Sequence, residues 1–211
     1  MRRVPWWGVL SSVAAPVLLI GGWTLAAVIQ PVPFDAVVRT ISDLAALTTP
    51  DRWVMTTALV GVGLSHIATA CALAPAAVAG RLVLGLGGLT TLAVAAFPLP
   101  ARGGSSSAHT AAAAVAFISL AVWPAFAWMH KRRPEQIVAG VLQPRVSAAA
   151  TFALLLAVGW FFAELLAGGE QVGLAERVAA GTQAMWPLVV VLSLRRTQPN
   201  LGTVSAGPGQ T

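Results

Sequence analysis

An all-α fold of six membrane-spanning helices is what the sequence predicts, and three observations predict it. Only 9% of the 211 residues are charged, against about 25% in a soluble domain, too few to cover a water-facing surface. The mean hydropathy of +0.78 is correspondingly high. Apolar runs of about 20 residues, the length needed to cross a hydrocarbon core, recur along the whole chain. One membrane domain is therefore expected over 1–196, followed by a polar, Gly- and Pro-containing cytoplasmic tail over 197–211 that reads as disordered.

Span one runs over about 6–29, behind Met1-Arg2-Arg3 and with Trp6 and Trp7 as interfacial anchors. It is longer than the core of a cleaved signal peptide, about 7–15 residues. Pro31 and Pro33 end it. Thr49-Pro50-Asp51 reads as a cap, a proline at the first helical position and an acid in the first turn, opening span two at 52–73. Span three, 82–97, is short and rich in glycine. Gly85 and Gly88 would let another backbone approach closely, which puts this helix at the centre of the bundle. The loop ARGGSSSA is flexible by composition. Span four, 109–129, contains Trp123-Pro124, a kink for neighbouring helices to accommodate. His130-Lys131-Arg132-Arg133-Pro134 is a basic loop, and GGEQVG is the turn between span five (146–166) and span six (176–194).

The stretch FDAVVRTISDLAALTTPDRW, Phe34 to Trp53, is too charged to sit inside a bilayer. At helical spacing Phe34, Val37, Val38, Ile41 and Leu44 fall on one side, and Asp35, Arg39, Ser42 and Asp43 on the other. This predicts an extracytoplasmic amphipathic helix lying on the membrane surface between spans one and two, its charges paired at i,i+4.

Charge sets the orientation. In the six-span arrangement one face collects Arg2, Arg3, Arg81, Lys131, Arg132, Arg133, Arg145, Arg195 and Arg196, with Glu135 as its acid. The other holds Arg39, Arg52, Arg102 and Arg177 against Asp35, Asp43, Asp51, Glu164, Glu170 and Glu176. The positive-inside rule then places both termini in the cytoplasm, with the plasma membrane as the expected location. The net charge of +6 follows from that topology, so nucleic acid is not an expected partner. Membrane lipids are, and a partner membrane protein is a further possibility.

Several blocks together resemble a known family. They are RTISDLAAL followed by PDRWVM, then FPLP with His109 downstream, then GLAERVAAGTQAMWPLVVVLSLRR. The chain resembles the DUF998 family, a group of bacterial six-pass membrane proteins without a known function. The resemblance implies the fold and the membrane location, and it implies no activity, cofactor or catalytic residue.

The candidate site is therefore read from charge placement. Asp43, Arg102, His109, Glu164, Glu176 and Arg177 come from separate segments yet all reach the outer face. Glu164 is expected just inside the apolar boundary, paired with Arg177 or His109, because an unpaired carboxylate at that depth is costly. Asp43 is expected to pair with Arg177 or Arg102. A polar outer pocket for a lipid head group, small molecule or partner is one reading, and charges that merely close helix ends are the other. A transporter or membrane enzyme using the same cavity is the alternative function. No metal or cofactor is expected, since His66, His109 and His130 lie at different depths. His66 is expected to bond to a neighbouring helix. The single Cys71 excludes an internal disulfide and reads as a small buried apolar side chain. Adjacent helical residues point in different directions, so Ser42 and Asp43 form no activated pair, and no catalytic motif is found.

Overall fold

The computed structural model describes residues 3–129 and 140–197. The basic loop at 130–134, Arg2 and the tail beyond residue 197 lie outside the described residues. Within them the chain forms α1 (Trp6–Val28), α2 (Ile41–Leu44), α3 (Trp53–Ala72), α4 (Val78–Ala96), α5 (Ser107–Ala127), α6 (Pro144–Ala167) and α7 (Val172–Arg196). All but α2 are long and apolar enough to cross a membrane, so the protein is an all-α, six-span membrane protein.

The six long helices close a ring in chain order. α3 packs between α1 and α4, α5 between α4 and α6, and α7 joins α6 back to α1. Connections tie each end together. At one end Arg81 Nε donates to the Ala70 carbonyl, Ala77 N to Ala127 O, and Met129 N to Leu142 O. An apolar cluster including Val4, Leu73, Leu84, Trp123, Leu142 and Leu194 fills this half. At the other end Leu47 N donates to Leu99 O and Leu174 N to Val37 O, which seats the segment between α1 and α3 as a cap.

Glycine sets the α3–α4 contact, though not at both expected places. A Cβ on Gly63 would lie 2.8 Å from the Gly88 carbonyl oxygen, and one on Gly88 would lie 2.7 Å from that of Gly63. Gly85 meets only an ordinary contact with Ala70 at 3.8 Å. The most enclosed helix is α3, with 56% of its core window buried against 39% for α4. The glycines let α4 lie close on α3 without placing it at the centre.

The segment between the first two spans differs most from expectation. It contains a single four-residue helix, α2, between turns. Thr40 accepts a hydrogen bond from Asp43 N (3.1 Å) while the Asp43 carboxylate accepts from Thr40 N (3.2 Å), a reciprocal capping box that starts α2. Asp35 caps the preceding turn by accepting from Val37 N and Val38 N, and does not pair with Arg39 along a helix face. Ile41, Leu44, Ala45 and Ala46 are buried in the mouth of the ring, whereas Val37 and Val38 are exposed. Asp51 adopts a left-handed conformation (φ 53°), which aspartate tolerates, so α3 begins at Trp53 and Thr49-Pro50 lies in the turn before it. Cys71 is exposed on the outer surface of α3, contrary to the buried position expected.

Candidate functional site

Asp43, for which a pairing with Arg177 or Arg102 is expected, is 5% exposed. Its carboxylate accepts from Thr40 N and, at 2.7 Å, from Gly103 N of the α4–α5 loop. Its own carbonyl accepts from Thr49 Oγ1 at 2.7 Å. The charge is thus held by backbone donors rather than by Arg102 or Arg177. The two guanidinium groups do different work. Arg102 donates from Nε to Thr49 Oγ1 (3.1 Å) and from Nη2 to Gln30 Oε1. Arg177 donates from Nη1 to the carbonyls of Ala36 (2.8 Å), Arg39 (2.9 Å) and Gly173 (2.8 Å). Both cations lie over the Phe34 ring, at 5.8 and 5.9 Å, and Arg177 also lies over Trp23. They clamp the cap onto the bundle.

Glu164 does not reach this group. Its Oε2 accepts from Gln171 N at 3.0 Å, so it closes the turn between α6 and α7, where Gly168 supplies the left-handed residue. The expected pairing with Arg177 or His109 is replaced by a backbone partner in its own turn.

The remaining two candidates converge on a residue that the charge pattern passed over. Glu176, 4% exposed, accepts from Ile41 N and has Oε1 3.4 Å from Ser42 Oγ, where it competes with His109 for the single hydroxyl proton. His109, 6% exposed, places Nε2 3.1 Å from Ser42 Oγ and Nδ1 2.9 Å from the Phe97 carbonyl oxygen. A carbonyl can only accept, so Nδ1 carries a proton; in the neutral ring Nε2 is then the acceptor facing the serine hydroxyl. The Ser106 side chain accepts from His109 N at 3.4 Å and caps α5, which fixes where the imidazole starts. Ser42 thus sits between an imidazole from α5 and a carboxyl from α7, delivered by the one turn of α2.

This cluster separates two spaces. Above it lies an open cleft of about 540 Å³ between the cap and α5, α6 and α7. Arg39, Thr40, Ser42, Asp43, His109 and Glu176 form its polar side. Phe117, Phe161, Phe162, Leu165 and Val172 form its apolar side. The three phenylalanines pack on one another, with Phe117 and Phe161 centroids 5.0 Å apart and Phe161 and Phe162 5.3 Å apart. Below the cluster an internal cavity of about 70 Å³ is lined by Ser42, Glu176, His66, Thr91 and Gln183 among apolar side chains. His66 is 1% exposed and its Nδ1 has no hydrogen-bond partner, so the expected bond to a neighbouring helix is not made there. Gln183 donates to the Phe117 carbonyl at 2.8 Å.

The structure therefore brings Asp43, His109 and Glu176 to one cleft, uses Arg102 and Arg177 to hold the cap, and leaves Glu164 in a separate turn. Ser42, Thr40 and Gly103 were missed as site residues. The signal for Ser42 was present in Ile41-Ser42-Asp43-Leu44, but its partner lies 67 residues away and the spacing carries no sign of it.

A ring of six membrane-spanning helices with a folded cap and a Ser–His–Glu cluster beneath it defines the class: a multi-pass integral membrane protein with a polar recess at one mouth. The chain belongs to the DUF998 family, described as "Protein of unknown function (DUF998)", which it matches over residues 12–193. No curated protein and no solved structure is similar enough to the chain to match it.

Proposed function

We propose that this is a plasma-membrane protein, both termini cytoplasmic, that binds an amphiphile of the outer leaflet in the cleft under its cap. The orientation rests on charge. Arg3, Arg81, Arg145, Arg195 and Arg196 gather at the end away from the cap, and the acids among the described residues gather at the cap end. The observation that carries the binding reading is the two-sided cleft: hydroxyl, imidazole and carboxyl groups face an aromatic wall across one opening. A membrane lipid has both halves of that chemistry, a polar head group and an apolar chain. Arg39, exposed on the polar side, adds a cation where an anionic head group would lie. Beyond the inner cavity the bundle is filled by Leu84, Leu120, Trp123, Val190 and Val191, which favours binding over passage through the ring.

The test is native mass spectrometry of the protein released directly from its membrane. Wild type is expected to retain a lipid-sized adduct. Thr110, exposed at the rim of the cleft, can be replaced by Trp to fill the opening without entering the core. Thr110→Trp is expected to lose the adduct. Wild-type protein without an adduct, or an unchanged adduct in the variant, would overturn the reading, and a co-released polypeptide in place of a lipid would favour a partner membrane protein.

A further inference from the structure

The Ser42–His109 contact is more than a way of satisfying buried groups. Its geometry is that of a nucleophile beside a base whose other nitrogen is held by a third group. Ser42 Oγ is 3.1 Å from His109 Nε2, inside the reach of direct proton transfer, and Nδ1 is fixed by the Phe97 carbonyl 2.9 Å away. The proton on Nδ1 leaves Nε2 free to accept, which is the tautomer that removes a proton from the serine. The backbone on both sides of Ser42 is fixed as well. Ile41 N is tied to Glu176, and Asp43 N is tied to Thr40. Ser42 also lines the open cleft, half-buried, so its hydroxyl meets whatever occupies that space.

We propose that Ser42 and His109 form a catalytic nucleophile–base pair that cleaves a carboxylic ester of the amphiphile bound in the cleft. This rests on the amphiphile-binding reading for its substrate class, while the pair itself rests on the contacts above. Ser42 Oγ attacks the ester carbonyl carbon as its proton passes to His109 Nε2. The carbon–oxygen bond to the alcohol portion breaks, and His109 returns the proton to the departing alkoxide, leaving an ester on Ser42. Water from the cap side then gives a proton to Nε2 as its oxygen attacks that ester. Ser42 Oγ leaves and recovers the proton. The sum is ester plus water to carboxylic acid plus alcohol, with no change of oxidation state. Glu176, 3.4 Å from Ser42 Oγ and bonded to Ile41 N, is a positioning residue that sets the serine against the base.

The test uses the full chain in detergent and two fluorophosphonates, one with a long alkyl chain and one compact, with adducts located by peptide mapping. This reads the nucleophile without requiring turnover. A single adduct on Ser42 is expected, absent in Ser42→Ala. In His109→Gln the labelling rate is expected to fall by about 100-fold or more, the usual contribution of a general base. Thermal unfolding of each variant separates a lost base from a lost fold. If His109→Gln does not fold, the wild-type adduct and its position still decide. Wild-type protein that stays unlabelled at Ser42 with both probes overturns the pair, and so does labelling of a folded His109→Gln at the wild-type rate. The two readings fail separately. Ser42 labelled equally fast by both probes keeps the nucleophile and removes the amphiphile, whereas a retained lipid with an inert Ser42 removes the chemistry and keeps the binding.

Discussion

Replacing Asp43 with alanine separates two views of the capped end. On the surface of an amphipathic helix, Asp43 would face water and its loss would cost a few tenths of a kcal/mol. In the structure it is 5% exposed and accepts from two backbone donors, Thr40 N and Gly103 N. Asp43→Ala leaves both of those N–H groups without their acceptor and removes half of the capping box. The capping share is about 1 kcal/mol, and a hydrogen bond to a charged acceptor contributes about 1.5–3 kcal/mol. A loss of about 3 kcal/mol follows, or a fall in Tm of about 6–12 °C for a domain of this size. Asp43→Asn keeps one acceptor oxygen and should fall by about half as much. The assay is thermal unfolding of the purified protein in detergent, followed by its tryptophan fluorescence. An Asp43→Ala variant that melts within about 1 °C of wild type would refute the buried-acceptor account.

Three further outcomes follow from the same contacts. A Cβ on Gly173 would strike the Arg39 and Ala36 carbonyls. Gly173→Ala should therefore lift the cap from α7 at a cost of about 1–3 kcal/mol, seen as a lower Tm and faster proteolysis between α1 and α3. Arg177→Lys keeps the charge but loses the planar group whose Nη1 reaches three carbonyls and which lies over Phe34 and Trp23, so it should cost about 1–2 kcal/mol in the same melt, whereas Arg39→Ala at an exposed position should change little. For orientation, single cysteines at Ser106 and Gly169, in a Cys71→Ala background, should react with an impermeant thiol reagent in intact cells. Cysteines at Gln136 or Gly207 should react only after the membrane is opened, and the reverse pattern would invert the topology.

The ring was legible because each span is long and apolar, and length against bilayer thickness is a property of one segment at a time. The cap was not, for a physical reason. Phe34 to Trp53 carries enough helical periodicity to suggest one continuous helix, but its carbonyls at Ala36 and Arg39 are claimed by Arg177 and its turns are closed by Asp35 and Asp43. Polar side chains that bond their own or a distant backbone compete with the helix, and periodicity does not count that competition. The same miscount assigns Asp43 an arginine partner in place of backbone donors. Its donors are local at Thr40 but distant at Gly103, and the latter becomes a neighbour only when the ring closes.

The site was half-legible for a related cause. Charge scarcity singled out His109 and Glu176, which the structure brings together at Ser42, because an ionisable group in such a chain must be accommodated. It also selected Arg102, Arg177 and Glu164, whose partners are mostly carbonyls and amides, because net charge does not reveal whether a group is met by an opposite charge or by backbone. The neutral residue at the centre, Ser42, carries no charge to be noticed. Its place follows from α2 being a single turn. Ile41 and Leu44, three apart, turn into the bundle mouth, and that leaves the intervening Ser42 directed at α5 and α7, where His109 and Glu176 stand. A longer surface helix, lying flat, would have presented Ser42 to water beside Asp43. Breaking that helix into one turn under a clamped cap is what converts an ordinary polar face into a hydroxyl set between an imidazole and a carboxyl.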